Sequence, residues 1–299
     1  MNLASVDYII VGGGSAGCVL AARLSEDVNN QVMLIEAGGE GRNPLIHIPA
    51  GYIKTMVDPR INWMFESEAE PGTANRRIAI PRGKVLGGSS AINGMLYVRG
   101  QVDDYNGWAQ RGNPGWSYDD VLPYFKKAEH CQAMAAGDTD FDSATHGVGG
   151  PLNVAPVLSG YEALDRVIAA AEKLGWPHNK DYNSGTQDGF SYYQVNQKSG
   201  LRFSAKKAYL DPARNRRNLK VVTSAHATKI LFDGQKATGV RYQRHGRTTS
   251  AFANCEVIIS AGAIQSPQIL ELSGIGNTKR LQDLGITVQA PLAGVGENL

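Results

Sequence analysis

The sequence predicts an α/β fold, a doubly wound parallel sheet with a β-hairpin crossover, and three observations predict it. The chain opens on a short apolar run, Val6–Val11, followed at once by Gly12-Gly13-Gly14-Ser15-Ala16-Gly17 and a helical pattern. Asp233-Gly234 lies between two strand-like runs, a strong hairpin signal. Glu256–Ser260 then returns, late in the chain, as another buried strand. A chain of 299 residues has room for one or two domains around such a sheet.

Each element has its own justification. Val6–Val11 reads as a buried parallel strand, and the helix after it carries Val19, Leu20 and Leu24 on one face. Gln31–Ile35 is the second strand, closed by Glu36. Gly12, Gly14 and Gly17 occupy the G-x-G-x-x-G positions of a dinucleotide fingerprint, and Glu36 stands 19 residues beyond Gly17, where an acid can hold ribose hydroxyls. A helix start of this kind, after Gly14 at Ser15 and Ala16, is a ready site for an anion. This fingerprint alone does not choose between NAD and FAD. Residues 40–80 are irregular, because Pro44, Pro49, Pro59 and Pro71 interrupt any long element.

Pro81–Gly100 is the most informative stretch. Gly87-Gly88-Ser89-Ser90 lets a backbone approach a large flat ligand, and Asn93 and Gly94 add a polar amide and a bare backbone. An ordinary loop before a buried helix has the same composition. Asp119–Glu129 is helical, Ala133–Gly150 is a loop, and Glu162–Leu174 is an amphipathic helix. Phe190–Val195 and Leu219–Thr223 read as strands, and Ala227–Phe232 and Lys236–Tyr242 form the hairpin. Ser266-Pro267 predicts a helix start, with serine as cap, and Gly274 its end.

Composition bounds the class. Apolar residues at 42% and charged residues at 19% describe a globular chain, and a net charge of +2 gives no argument for nucleic acid. No stretch approaches the roughly 20 apolar residues of a transmembrane segment. Arg214, Arg216 and Arg217 read as a solvated basic turn. Cys18, Cys131 and Cys255 lack metal-ligand spacing; Cys18 and Cys255 read as reduced residues in or near the core. With no secretory signal visible in MNLASVDYII, the expected location is cytoplasmic, or peripheral to the inner membrane. Among His47, His130, His146, His178, His226 and His245 no catalytic set or metal pattern stands out, so no catalytic base and no metal ligand are assigned.

The fingerprint, PRGKVLGGSSAINGMLYVRG at Pro81–Gly100 and GAIQSPQILELSGIG at Gly262–Gly276 together resemble the glucose–methanol–choline (GMC) family of flavin oxidoreductases, in its choline dehydrogenase-like and alcohol dehydrogenase-like branch. The resemblance runs from Tyr8 to the last residue. It implies a Rossmann-like FAD-binding domain over residues 1–157 and 204–299, and part of a substrate domain over 158–203. Gly294–Leu299 falls within a glycine-rich turn that continues in the family, so the resemblance also implies that a C-terminal half is missing.

The resemblance places Glu36 on the adenosine ribose, Val85, Asn93, Gly94, Met95 and Leu96 along the flavin, and Ala227 at the adenine edge. A plain strand residue is the equal alternative for Ala227. Ala37, Arg82, Gly87, Gly88, Ser89, Ala261 and Gly262 complete the implied cofactor contacts. Ile92 occupies the position where a covalent branch has histidine, so the implied FAD is non-covalent.

The implied reaction is oxidation of a choline-like or primary alcohol by hydride transfer to flavin N5. The proton acceptor is a histidine of the missing half, and the electron acceptor is oxygen, a quinone or another carrier. An inactive partial product and an NAD-dependent dehydrogenase are the alternatives.

Overall fold

The computed structural model describes residues 5–157 and 160–299. It divides into two compact units, residues up to Asn93 with Ala205–Leu299, and Gly94–Ser204. The expected junction at 157/158 touches residues outside those described, whereas the units part at 93/94 and 204/205. The reason is pairing. Strands near 130, 154 and 195 form one sheet and hold the intervening chain together.

The first unit begins with β1 (Ser5–Val11), α1 (Ser15–Leu24) and β2 (Val32–Ile35). β2 is buried along its whole length, as a parallel strand covered on both faces must be. The proline-rich stretch forms short helical turns, such as Pro44–His47, and one small antiparallel pair, β3 (Phe65–Glu66) with β4 (Ala79–Ile80).

The second unit holds α2 (Tyr118–Ala128), β5 (Glu129–Cys131), β6 (Leu152–Pro156), α3 (Glu162–Lys173) and β7 (Gln194–Val195). The expected strand from Phe190 is only its last two residues. α3 forms as its periodicity predicts, yet Leu164 and Val167 are exposed and only Ala171 is buried.

The chain re-enters the first unit with β8 (Leu219–Val222), β9 (Ala225–Asp233), β10 (Lys236–Arg244), β11 (Arg247–Ile259) and α4 (Gly262–Leu272). The sheet order is β8-β2-β1-β11-β10-β9. The first four strands are parallel and the last two antiparallel. β11 belongs to both regions: Arg247–Phe252 pairs with β10, and Phe252–Ile259 pairs with β1. This double duty explains its 13 residues, against the five expected at Glu256–Ser260. Ile9, Val11, Met33, Ile35, Val240 and Ile269 form the heart of the core.

Four further expectations are corrected. α1 buries Gly17, Cys18, Ala21 and Ala22, while Val19, Leu20 and Leu24 are only partly covered. Close approach to the sheet favours the small-residue face over the bulky one. α4 starts at Gly262, so Pro267 lies inside the helix rather than at its first position. Cys255 is exposed in β11. Arg214 pairs with Glu40 at 2.6 Å and Arg216 donates to Ser25 Oγ at 2.8 Å, so the basic turn is partly structural.

The second unit is organised around a buried ionic network. Arg99 donates to Glu129 Oε2 at 2.8 Å and to the Thr145 carbonyl at 2.7 Å. His146 Nδ1 lies 3.0 Å from Glu129 Oε2, and its Nε2 lies 2.9 Å from Asp181 Oδ1. Both ring nitrogens therefore face carboxylate oxygens, and the ring satisfies them only as an imidazolium. Two cations balance two anions. Burial opposes the charged ring, but its hydrogen bonds to Asp181, Cys131 and Glu129 prevail and raise its pKa to about 11.

A histidine charged in the folded state contributes stability that is complete below its unfolded pKa near 6.5 and fades as pH rises towards 11. We expect urea stability to fall between pH 7 and 10, with a shallower slope in His146→Gln. Equal slopes in the two proteins would contradict the imidazolium. At neutral pH the variant should also lose about 3–5 kcal/mol, since it leaves buried carboxylates short of a counter-charge.

Candidate dinucleotide site

Three strand ends converge at the carboxyl edge of the parallel sheet. Gly12 N–H donates to the Ile35 carbonyl at 2.8 Å, Ser260 N–H to the Val11 carbonyl at 2.8 Å, and Ser260 Oγ to the Gly12 carbonyl at 2.9 Å. Gly12 has φ +99°, and a Cβ there would stand 2.8 Å from Ala261 Cα, so the turn after β1 demands glycine. Above these ends opens a cavity of about 600 Å³, lined entirely by the first unit. Doubly wound sheets bind their ligands at this edge.

Glu36 stands at the end of β2 and is buried. Its Oε2 accepts from Gly13 N–H and its Oε1 from Gly38 N–H, both at 2.7 Å. Burial pushes its pKa up to about 7, against the pull of the Gly38 and Gly13 amides and of Lys84. Each oxygen keeps capacity for a further donor from the cavity.

The Pro81–Gly100 segment packs its backbone on the fingerprint. Gly87 N–H donates to the Gly13 carbonyl at 2.8 Å. Gly88, at φ +54°, lies so close that a Cβ there would stand 2.7 Å from Gly14 Cα. The first residues of two helices line the cavity, Ser15 and Ala16 of α1 and Gly262 and Ala263 of α4. Two helix N-termini, with their unpaired amides, thus face one space.

Of the residues named from sequence, the cavity gathers Gly12, Gly14, Ser15, Ala16, Glu36, Ala37, Arg82, Gly88, Ser89, Ala227, Ala261 and Gly262. The others lie outside its lining. Gly17 packs α1 against the Gly12 carbonyl, Val85 is in an apolar cluster with Ile46 and Ile61, and Gly87 holds the turn. Asn93 is exposed at the end of the first unit's opening segment, and Gly94, Met95 and Leu96 begin the second unit.

Sequence reasoning missed Trp63 and Phe65, which line the cavity from the start of β3 and the residue two before it. No regular period marks the pair, since Met64 between them takes φ +58°. It also missed Ser266, a lining residue in the first half of α4, because Ser266-Pro267 was read as the helix start.

Glu129, Cys131 and His146 also bring ligand-type atoms within 4.8 Å of one another. Both nitrogens of that imidazole already lie on carboxylates, which leaves it no lone pair for a cation.

Residues 6–299 match the sequence profile described as GMC oxidoreductase. The chain belongs to the GMC oxidoreductase family. It is 45% identical over 293 residues to an oxygen-dependent choline dehydrogenase of Rhizobium etli, covering 98% of this chain and 52% of that protein. It is 42% identical to the mitochondrial choline dehydrogenase of Homo sapiens, covering 98% of this chain and 49% of the human one.

Among solved structures, pyridoxine 4-oxidase from Mesorbium loti matches with a TM-score of 0.88 and 34% identity, over 96% of this chain and 55% of its own. A formate oxidase of Aspergillus oryzae matches with a TM-score of 0.89 and 26% identity, over all of this chain and 52% of its own. This GMC chain therefore spans about half the length of its relatives.

The close backbone contact makes a prediction. Gly88→Ala should destabilise the protein by about 1–3 kcal/mol, the usual effect of overpacking, here added to a positive φ. A urea midpoint equal to that of the unsubstituted protein would show that the fingerprint and the Gly87–Ser90 turn are not in contact.

Proposed function

We propose that this chain is the FAD-binding half of an alcohol-oxidising flavoenzyme. The observation that carries the reading is the cavity itself: a buried carboxylate and two helix N-termini around one space, in a chain of the GMC family. FAD bound there would supply the acceptor for a hydride from the carbinol carbon of an alcohol. The names of the choline dehydrogenase relatives support a choline-like or primary alcohol. The names of the bacterial relatives support oxygen as the electron acceptor.

The roles proposed for the chain's own residues follow from their positions. Glu36 accepts the hydroxyls of the adenosine ribose while keeping the Gly13 and Gly38 amides paired. The amides of Ser15 and Ala16, with those of Gly262 and Ala263, take the phosphates. Val85 and Asn93–Leu96 remain the proposed flavin-side residues, and residues 1–157 with 204–299 the proposed FAD-binding domain. None of the six histidines lines the cavity. The proton acceptor is therefore proposed to lie in the half that the relatives possess beyond the matched segment.

Attachment of the flavin is proposed to be non-covalent. Ile92 offers only hydrocarbon, and its side chain is buried with Ile46, Ile61, Val85 and Ala91. Acid precipitation of the flavin-loaded protein should release the yellow colour into the supernatant. Colour that stays with the pellet would contradict the proposal.

Glu36 gives a test with a sign. Ribose hydroxyls donate to the ionised carboxylate, whose ionised fraction rises through pH 7. FAD affinity should therefore rise from pH 6 to pH 8 and level off above. Glu36→Gln should flatten that profile and weaken binding about tenfold at pH 8, or 1.4 kcal/mol. Flavin fluorescence titration measures both. A pH-independent affinity, or a variant that binds as tightly, would remove Glu36 from the ribose.

A further inference from the structure

Lys84 carries a charge that no acid among the described residues answers. It is half-buried and takes part in none of their ion pairs. Its Nζ rests instead 4.6 Å from the centre of the Trp63 ring, a cation–π contact that holds the ammonium in place. The backbone is fixed as well. Lys84 N–H donates to the Ile61 carbonyl at 2.7 Å and Leu86 N–H to the Gly39 carbonyl at 3.0 Å, while Val85 is bridged to Gly39 as a parallel neighbour. Gly38 lies so close to the Lys84 carbonyl that a Cβ there would have no room.

Gly38 is also the residue whose N–H donates to Glu36 Oε1 at 2.7 Å. Lys84 and the Glu36 carboxylate thus share one glycine as a neighbour. Trp63, on which the ammonium rests, lines the same cavity as Glu36. Burial raises the pKa of Glu36; the Gly38 and Gly13 amides, and then the charge of Lys84, oppose it.

The remaining titratable groups nearby are neutral or engaged. Cys18 of α1 is a thiol that burial pushes up to about 12. His226 of β9 has its ring 5.4 Å from that of Trp63, and burial and Lys84 hold its pKa below the ordinary value, so it is neutral at pH 7. Glu40, on the same turn as Glu36, pairs with Arg214 at 2.6 Å. Arg82 lines the cavity with its Nη1 on the Pro81 carbonyl at 2.8 Å.

We propose that Lys84 sets the pH range over which the cavity takes a dinucleotide: its ammonium, parked on Trp63, keeps the Glu36 carboxylate charged at neutral pH and so able to accept ribose hydroxyls. Lys84 acts on the ligand only through Glu36. The inference rests on the reading of Glu36 as the ribose acid, and adds what decides when that acid is competent.

The test is flavin fluorescence titration of the 299-residue protein with FAD from pH 5.5 to pH 9. Lys84→Met removes the charge and keeps a long side chain suited to contact with an indole. It should move the midpoint of the affinity profile upward by about half a pH unit or more. Half a unit is about threefold in affinity at pH 6, and the two proteins should converge by pH 9. Lys84→Arg keeps the charge and the ring contact, and should keep the midpoint. If Lys84→Met fails to fold, Lys84→Gln takes its place with the same expectation.

An unmoved midpoint in the neutral variant would overturn the inference and leave Glu36 on the ribose. So would an affinity lowered equally at every pH, which marks a direct contact with the ligand or a structural role. A midpoint that moves as far in Lys84→Arg would also overturn it, since the charge is kept there. A pH-independent affinity in the unsubstituted protein, or no binding of FAD, would overturn both readings.

Discussion

A buried carboxylate sets the geometry on which the rest of the site depends. Glu36 ties the turn after β1 to the residues after β2 through one amide on each oxygen. Its own backbone is fixed on both sides, donating to Val222 and accepting from Ala225. Four segments of chain thereby meet at one residue. Burial is unfavourable for the charge, and the two amides offset only part of that effect. A group held above its ordinary pKa in this way favours any further donor that enters the cavity. The residue that organises the site is thus also the one best placed to gain a hydrogen bond from a ligand there.

Close backbone contact is the second constraint. Gly12 and Gly17 are glycines because β11 and the fingerprint turn leave no room for a Cβ, and Gly88 because Gly14 leaves none. The small-residue face of α1 follows from the same crowding. Helix and sheet approach until only glycine, alanine and cysteine fit. The bulky residues of the helix are pushed to its flanks.

Much of this was legible in the sequence, and the parts that were not share a physical cause. The strand–turn–helix–strand unit, the hairpin at Asp233-Gly234 and the acid at Glu36 are local signals, and each element forms where its pattern lies. Trp63 and Phe65 were missed because only Phe65 lies in a strand, two residues long, and Met64 between them takes φ +58°, so no regular period marks the pair. The start of α4 was misplaced because a serine–proline pair imitates a helix beginning, while the real one is set by a glycine at φ +90°. The ionic network of the second unit joins Arg99, Glu129, His146 and Asp181, with no spacing that announces it. Only tertiary structure brings such residues together.

The central sheet also imposes an order on biosynthesis. β1 lies between β2, which follows it closely, and β11, whose pairing with it joins Val11 to Ile259, a separation of 248 residues. At translation rates of about 5–20 residues per second, the first strand waits on the order of 10–50 s for that neighbour. During that interval Ile9, Val11, Met33 and Ile35 have no completed sheet to bury them. The nascent chain therefore carries its most apolar strands exposed for longest, and its time of greatest exposure to aggregation falls before the sheet can close.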